Sequence, residues 1–251
     1  MARGHHPLPA DTWVAPPRPL PADTRGALPR GGARRRLLLG VAIAYVAAWA
    51  IGVGFGYGLK GTHSWDGGAP WERTLLRWFH AQSLPYWLDQ VMLASPLIGT
   101  NLVILPAMLL LGLWLWRVRH APLTALHLLV VSIGSLSLNP TMKYLLDRDR
   151  PALFPLRGMY NWASYPSGHL ILTTALYFTA ALMLRRARGW RWPFVVAAFV
   201  VLITVYARLY LSVHWPTDLI GGILIGLVWL IGTWKAFTSF DVRHGARRAT
   251  A

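Results

Sequence analysis

The sequence predicts an all-α, polytopic membrane protein in which six transmembrane helices form a bundle, with an extracytoplasmic amphipathic helical linker. Of its 251 residues, 55% are hydrophobic and only 14% are charged, and the mean hydropathy is +0.39. Apolar runs of about fifteen or more residues alternate with short basic segments. Helices are the predicted element because only they satisfy every backbone polar group of a single segment inside lipid.

The charge of the chain is strongly basic, with 25 Lys and Arg against 9 Asp and Glu and a net charge of +16. Such an excess is typical of nucleic-acid binding. Here the cations form clusters between apolar runs, as the positive-inside rule predicts, so we expect no nucleic-acid partner. The chain has no cysteine, which excludes disulfides, thiolate metal ligands and a cysteine nucleophile.

The first 36 residues contain seven prolines, seven arginines and no long apolar run. This composition predicts a disordered cytoplasmic tail rather than a cleavable signal peptide. Residues 37–240 are predicted to form the membrane domain, and residues 241–251 a second basic cytoplasmic tail.

Six apolar segments within the membrane domain are predicted to cross the bilayer: 37–59, 99–116, 123–143, 167–184, 193–210 and 216–237. Small residues at 52, 54, 56 and 58 of the first span, and at 222 and 226 of the last, favour close helix contacts. In the linker at 60–98, residues 70–80 predict a short amphipathic helix rich in tryptophan. It either lies in the membrane interface or packs as a cap outside the membrane.

Six spans place both termini on one side of the membrane, together with the basic clusters at 34–36, 117–119, 185–191 and 243–248. By the positive-inside rule that side is the cytoplasm. The opposite side receives residues 60–98, 144–166 and 211–217, and six of the nine acidic residues: Asp66, Glu72, Asp89, Asp147, Asp149 and Asp218.

The stretch 165–169, Tyr-Pro-Ser-Gly-His, precedes the fourth apolar run and predicts a helix start. Pro166 suits a first helical turn, and Ser167 suits an N-cap. The N–H groups at a helix N-terminus attract phosphate, and Gly168 lets a ligand approach the backbone. His169 follows, where it could transfer a proton.

Further polar residues are predicted at the same extracytoplasmic end. Lys143 and Arg150 are seven positions apart, Arg208 ends the fifth span, and His214 and Asp218 flank the start of the sixth. Three cations and a helix N-terminus describe a phosphate pocket. Two histidines in it allow covalent phosphoryl transfer, and Asp218 can orient the imidazole of His214. No cluster of carboxylates or cysteines indicates a metal site, and we expect no cofactor.

Three motifs resemble the type 2 phosphatidic acid phosphatase superfamily: Lys143 with Arg150-Pro151, residues 166–169, and Arg208 with His214 and Asp218. That family includes lipid phosphatases, undecaprenyl-diphosphate phosphatases, glucose-6-phosphatases and vanadium haloperoxidases. The resemblance implies that His214 is the phosphorylated nucleophile, that Asp218 orients it, and that His169 is the acid/base. It also implies a phosphate-binding set: Lys143, Arg150, Ser167, Gly168 and Arg208.

The chain departs from the family pattern at Ala207, where a serine usually precedes the arginine. Other polar residues have simpler interpretations. Asp147 and Asp149 are expected to balance Arg148 and Arg150, and Asp218 could be an ion-pair partner of Arg208. No role is assigned to the remaining histidines outside the motifs, among them His63, His80, His120 and His127.

The sequence therefore predicts an integral membrane lipid phosphatase of the bacterial cell membrane. Its predicted substrate is a polyprenyl diphosphate of the undecaprenyl type, hydrolysed through phosphohistidine at the outer leaflet. The alternatives are a phosphatidylglycerophosphate or phosphatidate phosphatase, a non-catalytic lipid carrier or scaffold, and a vanadate-dependent oxidant. The oligomeric state stays open.

Overall fold

A computed structural model describes residues 31–62, 64–98, 101–155 and 163–249 of the chain. Within those ranges every regular element is an α-helix, as predicted. The helices are α1 (Gly32–Lys60), α2 (Pro70–His80), α3 (Tyr86–Ile98), α4 (Asn101–Arg117), α5 (Pro122–Leu146), α6 (Gly168–Arg188), α7 (Trp192–Tyr210) and α8 (Pro216–Ala249).

Five described helices are long and apolar enough to cross a membrane: α1, α5, α6, α7 and the Pro216–Ser239 part of α8. The predicted second span corresponds to α4, which has only 17 residues and contains Pro106. Its uninterrupted apolar part, Pro106–Arg117, is shorter than the bilayer core requires. The prediction of six spans therefore holds for five by length and composition.

Helices extend into both of the segments that were predicted to be tails. Most of the predicted tail 1–36 lies outside the described residues, but α1 already begins at Gly32 and includes the three arginines at 34–36. At the other end α8 continues to Ala249, so the predicted tail 241–251 is helical as far as it is described.

Among the last five helices, α4 packs on α5, α5 packs on α6, and α6 packs on both α7 and α8. α1 packs along α8, where Gly40 approaches Ala236 and Gly232 approaches Ala44. The starts of α1 and α5 meet α8 around Phe237 in one apolar cluster: Ala33, Leu37, Leu123 and Phe237. We call this the far end of the bundle.

The predicted glycine contacts are partly confirmed. Gly222 and Gly226 press α8 against α6, because an added Cβ would lie 2.7 Å from the carbonyl oxygen of Ser167 and 2.8 Å from that of Ile171. In α1 Gly52 makes such close contacts, and so does Gly56, whereas Gly54 and Gly58 face open space. A helix brings residues four apart to one face, so only half of this glycine set can meet a neighbour.

The linker forms a two-helix cap made of α2 and α3. α2 has the predicted bounds, and its Leu76 is fully buried in a cluster with Trp215 and Leu209. This packing favours the cap over a helix that only floats in the interface. Several aromatic side chains of the cap remain exposed: Trp71, Trp78, Tyr86 and Trp87.

Candidate active site

The predicted site residues lie where four helix ends meet, namely the ends of α5 and α7 and the starts of α6 and α8. We call this the site end of the bundle. The backbone N–H of Ser167 donates to the carbonyl oxygen of Asp218 over 3.2 Å, which joins the start of α6 to the start of α8. Because antiparallel neighbours alternate in direction, motifs far apart in sequence come together here.

His214 and Asp218 form the centre of the site. Both side chains are buried, and Nδ1 of His214 lies 3.6 Å from Oδ2 of Asp218. The same Oδ2 accepts the backbone N–H of Trp215 at 2.8 Å, so the carboxylate is held at the first turn of α8. The four-residue spacing from His214 to Asp218 thus brings the two side chains face to face.

Three cations surround the imidazole. Lys143 is 5% exposed and Arg208 is fully buried, while Arg150 is half-buried. Arg150 donates to the carbonyl oxygen of Val213 at 2.6 Å, and Arg208 donates to Oγ of Ser95 at 2.8 Å. Lys143 donates to the carbonyl oxygen of Ala163.

The environment of His214 lowers the pKa of its imidazole well below the ordinary 6.5. Burial is the largest cause, followed by the charges of Arg150, Lys143 and Arg208, and then by His169. The structure therefore brings His169 and all three cations within electrostatic reach of His214. The imidazole of His214 is held neutral, which leaves a nitrogen lone pair for nucleophilic attack.

The start of α6 differs from the prediction in two details. Ser167 occupies the N-cap position, but its side chain makes no capping hydrogen bond, and Pro166 precedes the cap instead of lying in the first turn. The buried hydroxyl of Ser167 has no hydrogen-bond partner among the described residues. The helix start is therefore not capped by its own serine, and that hydroxyl lies at the site end.

The close approach that Gly168 permits is to another helix. A Cβ on Gly168 would lie 2.5 Å from Nδ2 of Asn139 in α5. The next residue, His169, is half-buried, and its carbonyl oxygen accepts the hydroxyl of Thr173 at 2.7 Å. The predicted role of Gly168 in admitting a ligand stays a prediction, whereas its contact with Asn139 was not foreseen.

Sequence reasoning missed Arg148, which is fully buried beneath the site. Its guanidinium donates to Oδ1 of Asp218 at 2.7 Å and to Oε2 of Glu72 at 3.3 Å. The expectation that Asp147 and Asp149 balance this arginine is wrong, because both are exposed and Arg148 points inward. One signal was present: Glu72 lies four residues before Leu76, on the apolar side of α2.

Tyr165 fixes the segment that leads into α6. Its fully buried hydroxyl donates to the carbonyl oxygen of Gly52 in α1 at 2.7 Å. Burial and the nearby carboxylate of Asp218 raise the pKa of this phenol, so it remains a neutral donor. The first helix thereby supports a site to which it contributes no predicted residue.

Within the described ranges, no group of three or more His, Cys, Asp or Glu side chains is arranged to hold a metal ion. Two histidines outside the site stack on aromatic rings. His80 stacks on Phe154 with ring centroids 3.6 Å apart, and His127 stacks on Phe237 at 4.1 Å at the far end. His63 lies outside the described residues.

Comparison with known proteins gives matches to one family. Residues 124–240 match the PAP2 superfamily. A phosphatidylglycerophosphatase B of Bacillus subtilis is 29% identical over 147 residues, which cover 57% of this chain and 71% of that protein. An undecaprenyl-diphosphatase of Sulfolobus acidocaldarius is 31% identical over 132 residues, covering 50% of this chain and 57% of that protein.

The fold also has a solved counterpart. The crystal structure of a transmembrane PAP2-type phosphatidylglycerolphosphate phosphatase from Bacillus subtilis superposes with a TM-score of 0.65. The match covers 79% of this chain and 96% of that one at 22% sequence identity, so it speaks for the architecture alone.

Proposed function

We propose that this chain, whose residues 124–240 match the PAP2 superfamily, is a membrane lipid phosphatase that hydrolyses a polyprenyl diphosphate of the undecaprenyl type. The neutral, buried imidazole of His214 carries this proposal, because three cations and a second histidine act on it and a carboxylate faces its Nδ1. That combination can form a covalent bond to phosphorus and neutralise the phosphate charge at once.

The proposed reaction begins with attack by Nε2 of His214 on phosphorus. The bond between phosphorus and the leaving oxygen breaks, and His169 gives that oxygen a proton. Asp218, 3.6 Å from Nδ1, stabilises the positive charge that develops on the imidazole. Water then attacks the phosphohistidine and passes a proton to His169, the phosphorus–nitrogen bond breaks, and inorganic phosphate leaves.

The phosphate oxygens are proposed to be held by Lys143, Arg150 and Arg208 and by the start of α6. Arginine offers forked donors to two oxygens at once, whereas lysine acts as a point charge. Ser167 would add its hydroxyl, and the N–H groups at Gly168 lie at the positive end of the helix dipole. Because these groups supply a nucleophile and charge neutralisation, the reaction is proposed to need neither metal nor cofactor.

The active site is proposed to lie on the extracytoplasmic side, with both termini in the cytoplasm and α4 completing a sixth crossing. Two features support this arrangement. The cap helices stay at the site end, so α4 must return the chain to the far end before α5 begins. The basic segments at 34–36, 117–119 and 185–191 all lie at the far end, as the positive-inside rule requires.

The lipid is proposed to reach the site from the outer leaflet of a bacterial cell membrane. Exposed tryptophan and tyrosine side chains on the cap are typical of the membrane–water interface, where a lipid phosphate lies. The alternative substrate is phosphatidylglycerophosphate, which the name of the Bacillus relative favours, or phosphatidate. Both substrates would use the same imidazole and the same cations.

A substrate panel tests the proposal. Purified protein in detergent, with a chelator present, should release phosphate at least about tenfold faster from farnesyl or undecaprenyl diphosphate than from either glycerophospholipid phosphate. The reverse order would establish the alternative. If His214→Ala released phosphate as fast as the unchanged protein, the enzyme would not use this site, and a carrier or scaffold would explain the pocket better.

Topology is tested separately with reporter fusions after Arg188 and within residues 152–160. The two reporters should lie on opposite sides of the membrane, with the second outside. A cytoplasmic reporter in 152–160 would contradict the proposed side.

A further inference from the structure

A network of three buried charges lies behind the His214–Asp218 pair. Glu72, Arg148 and Asp218 are all fully buried, and Arg148 bridges the two carboxylates. It also donates to Oγ1 of Thr217 at 2.7 Å and to the carbonyl oxygen of Ser64 at 2.7 Å. Buried charges are costly to desolvate unless each is paired and hydrogen-bonded, and here each one is.

Glu72 enters this network from the cap. One oxygen of its carboxylate accepts the backbone N–H and the hydroxyl of Thr217, at 3.1 and 2.7 Å. The other oxygen accepts the N–H of Ala69 at 2.8 Å and faces Arg148. A carboxylate on α2 is thereby fixed to the loop after α5 and to the first turn of α8, although α2 lies outside the part of the chain that matches the family.

The orientation of Asp218 depends on this arrangement. Its Oδ1 is fixed by Arg148 and its Oδ2 by the N–H of Trp215, which leaves Oδ2 facing Nδ1 of His214. Arg148 is shared between two carboxylates, so Asp218 keeps more negative charge for the imidazole than it would in a one-to-one ion pair.

We infer that Glu72 and Arg148 are positioning residues for the reaction: Glu72 holds Arg148, Arg148 holds Asp218, and Asp218 holds His214. By this inference the cap helix α2 helps to position the catalytic pair, in addition to packing over the site end of the bundle. The inference rests on the proposed function, because it presupposes that His214 is the nucleophile.

The test replaces Glu72 by an isosteric amide. In Glu72→Gln the side-chain oxygen can still accept from Thr217, but the NH₂ group meets the donors of Ala69 and Arg148. With farnesyl diphosphate in detergent micelles as probe, kcat should fall about ten- to a hundredfold while KM changes less than about threefold. Asp66→Asn removes an exposed carboxylate from the same linker and should leave both constants unchanged.

A double-mutant cycle separates positioning from simple support of the cap. If Glu72 acts through Asp218, Glu72→Gln combined with Asp218→Asn should be no slower than Asp218→Asn alone, within about twofold. Multiplied losses would overturn the inference, and so would an unchanged kcat in Glu72→Gln or a loss confined to KM.

Folding is checked by size-exclusion chromatography and thermal unfolding in detergent. If Glu72→Gln does not fold, Thr217→Val decides, because it deletes the hydroxyl that links Glu72 to Arg148 beside their direct contact. Its kcat should fall about three- to tenfold, and an unchanged kcat would overturn the inference. His214→Ala keeps the two proposals distinct: if it is inactive while Glu72→Gln is as fast as the unchanged protein, the positioning inference alone fails.

Discussion

Basic side chains lie in opposite environments at the two ends of the bundle. At the site end Lys143, Arg148 and Arg208 are at most 5% exposed, and each donates to a defined oxygen. At the far end the basic residues stand exposed beside tryptophans, with guanidinium carbons 5.6 Å from the ring centroids in three pairs: Arg117 and Trp116, Arg119 and Trp114, and Arg188 and Trp190.

This difference shows why net charge is a poor guide to function in a membrane protein. The cations of the far end are exposed and can remain hydrated, so their individual positions should matter little. Those of the site end have lost their water and must be matched by acceptors, so their positions are fixed. Substitutions of equal chemistry should therefore have unequal effects at the two ends.

The largest expected effect comes from His214→Ala. Loss of the proposed nucleophile should reduce kcat by about a thousandfold or more, because the remaining groups bind phosphate but cannot attack it. Arg188→Ala at the far end should change kcat by less than twofold. The rate of phosphate release in detergent gives kcat for both variants. Equal losses of kcat would show that the two ends do not differ in their importance for the reaction.

The next largest effect should follow from Arg208→Lys, which keeps the charge but removes the planar fork. We expect kcat/KM to fall about a hundredfold, because a lysine cannot hold two phosphate oxygens in the same geometry. Arg117→Lys is the matched change at the far end and should have no measurable effect. A tolerated lysine at 208 would indicate that this cation acts only through its charge.

A smaller effect should appear in the pH dependence of kcat/KM. His214 must be neutral to attack, so activity is lost as pH falls through its pKa, which lies well below 6.5. Arg150→Gln removes a cation that lowers this pKa, so the acidic limb should move to higher pH. Lys143, Arg208, His169 and Asp218 also face the imidazole and should keep the shift modest.

The same pKa difference predicts how folding responds to acid. Below about pH 6.5 the unfolded chain binds a proton at His214 that the folded chain does not, so stability should fall as pH decreases. Thermal unfolding at pH 5 and pH 7 should show this difference, and it should shrink in His214→Ala. In the kinetic experiment, an acidic limb of kcat/KM that did not move in Arg150→Gln would contradict the view that this cation lowers the pKa of His214.

The smallest effects are expected from glycines on α8. Gly222→Ala at the site end and Gly232→Ala towards the far end each place a Cβ within 3 Å of a neighbour and should lower the unfolding temperature by a few degrees. Only Gly222→Ala should also lower kcat, because it displaces the carbonyl of Ser167 at the start of α6. Gly54→Ala in α1, which meets open space, is the control and should behave as the unchanged protein.

The sequence predicted local features better than distant partners. The bounds 70–80 of the amphipathic helix were right because Pro70 marks its start and the apolar residues Trp71, Leu75 and Trp78 repeat with helical spacing. The helix over Tyr86–Ile98 was missed, since its apolar residues blend into the next segment and α4 was assigned a full span. Whether a segment forms a helix depends mainly on residues close to it in sequence, whereas the ends of a membrane-spanning helix depend on where the bilayer begins.

The site shows the same limit. Its motif residues could be assigned to one end of the bundle, because helices that cross the membrane in alternating directions bring the end of one and the start of the next to the same side. Arg148 could not be paired correctly, because its partners lie 76 positions before it and 70 positions after it. Asp147 and Asp149 were nearer in sequence, but the chain turns at Asp147, where φ is +45°, and directs Arg148 inward.

The bond from Tyr165 to Gly52 has a consequence for how this protein can be shortened. A protein that began at residue 124 would keep the whole segment that matches the PAP2 superfamily. It would lack the Gly52 carbonyl that accepts the hydroxyl of Tyr165, and Arg148 would have one carboxylate fewer. We therefore expect a shortened protein to need the first helix, because that helix holds the segment leading into α6.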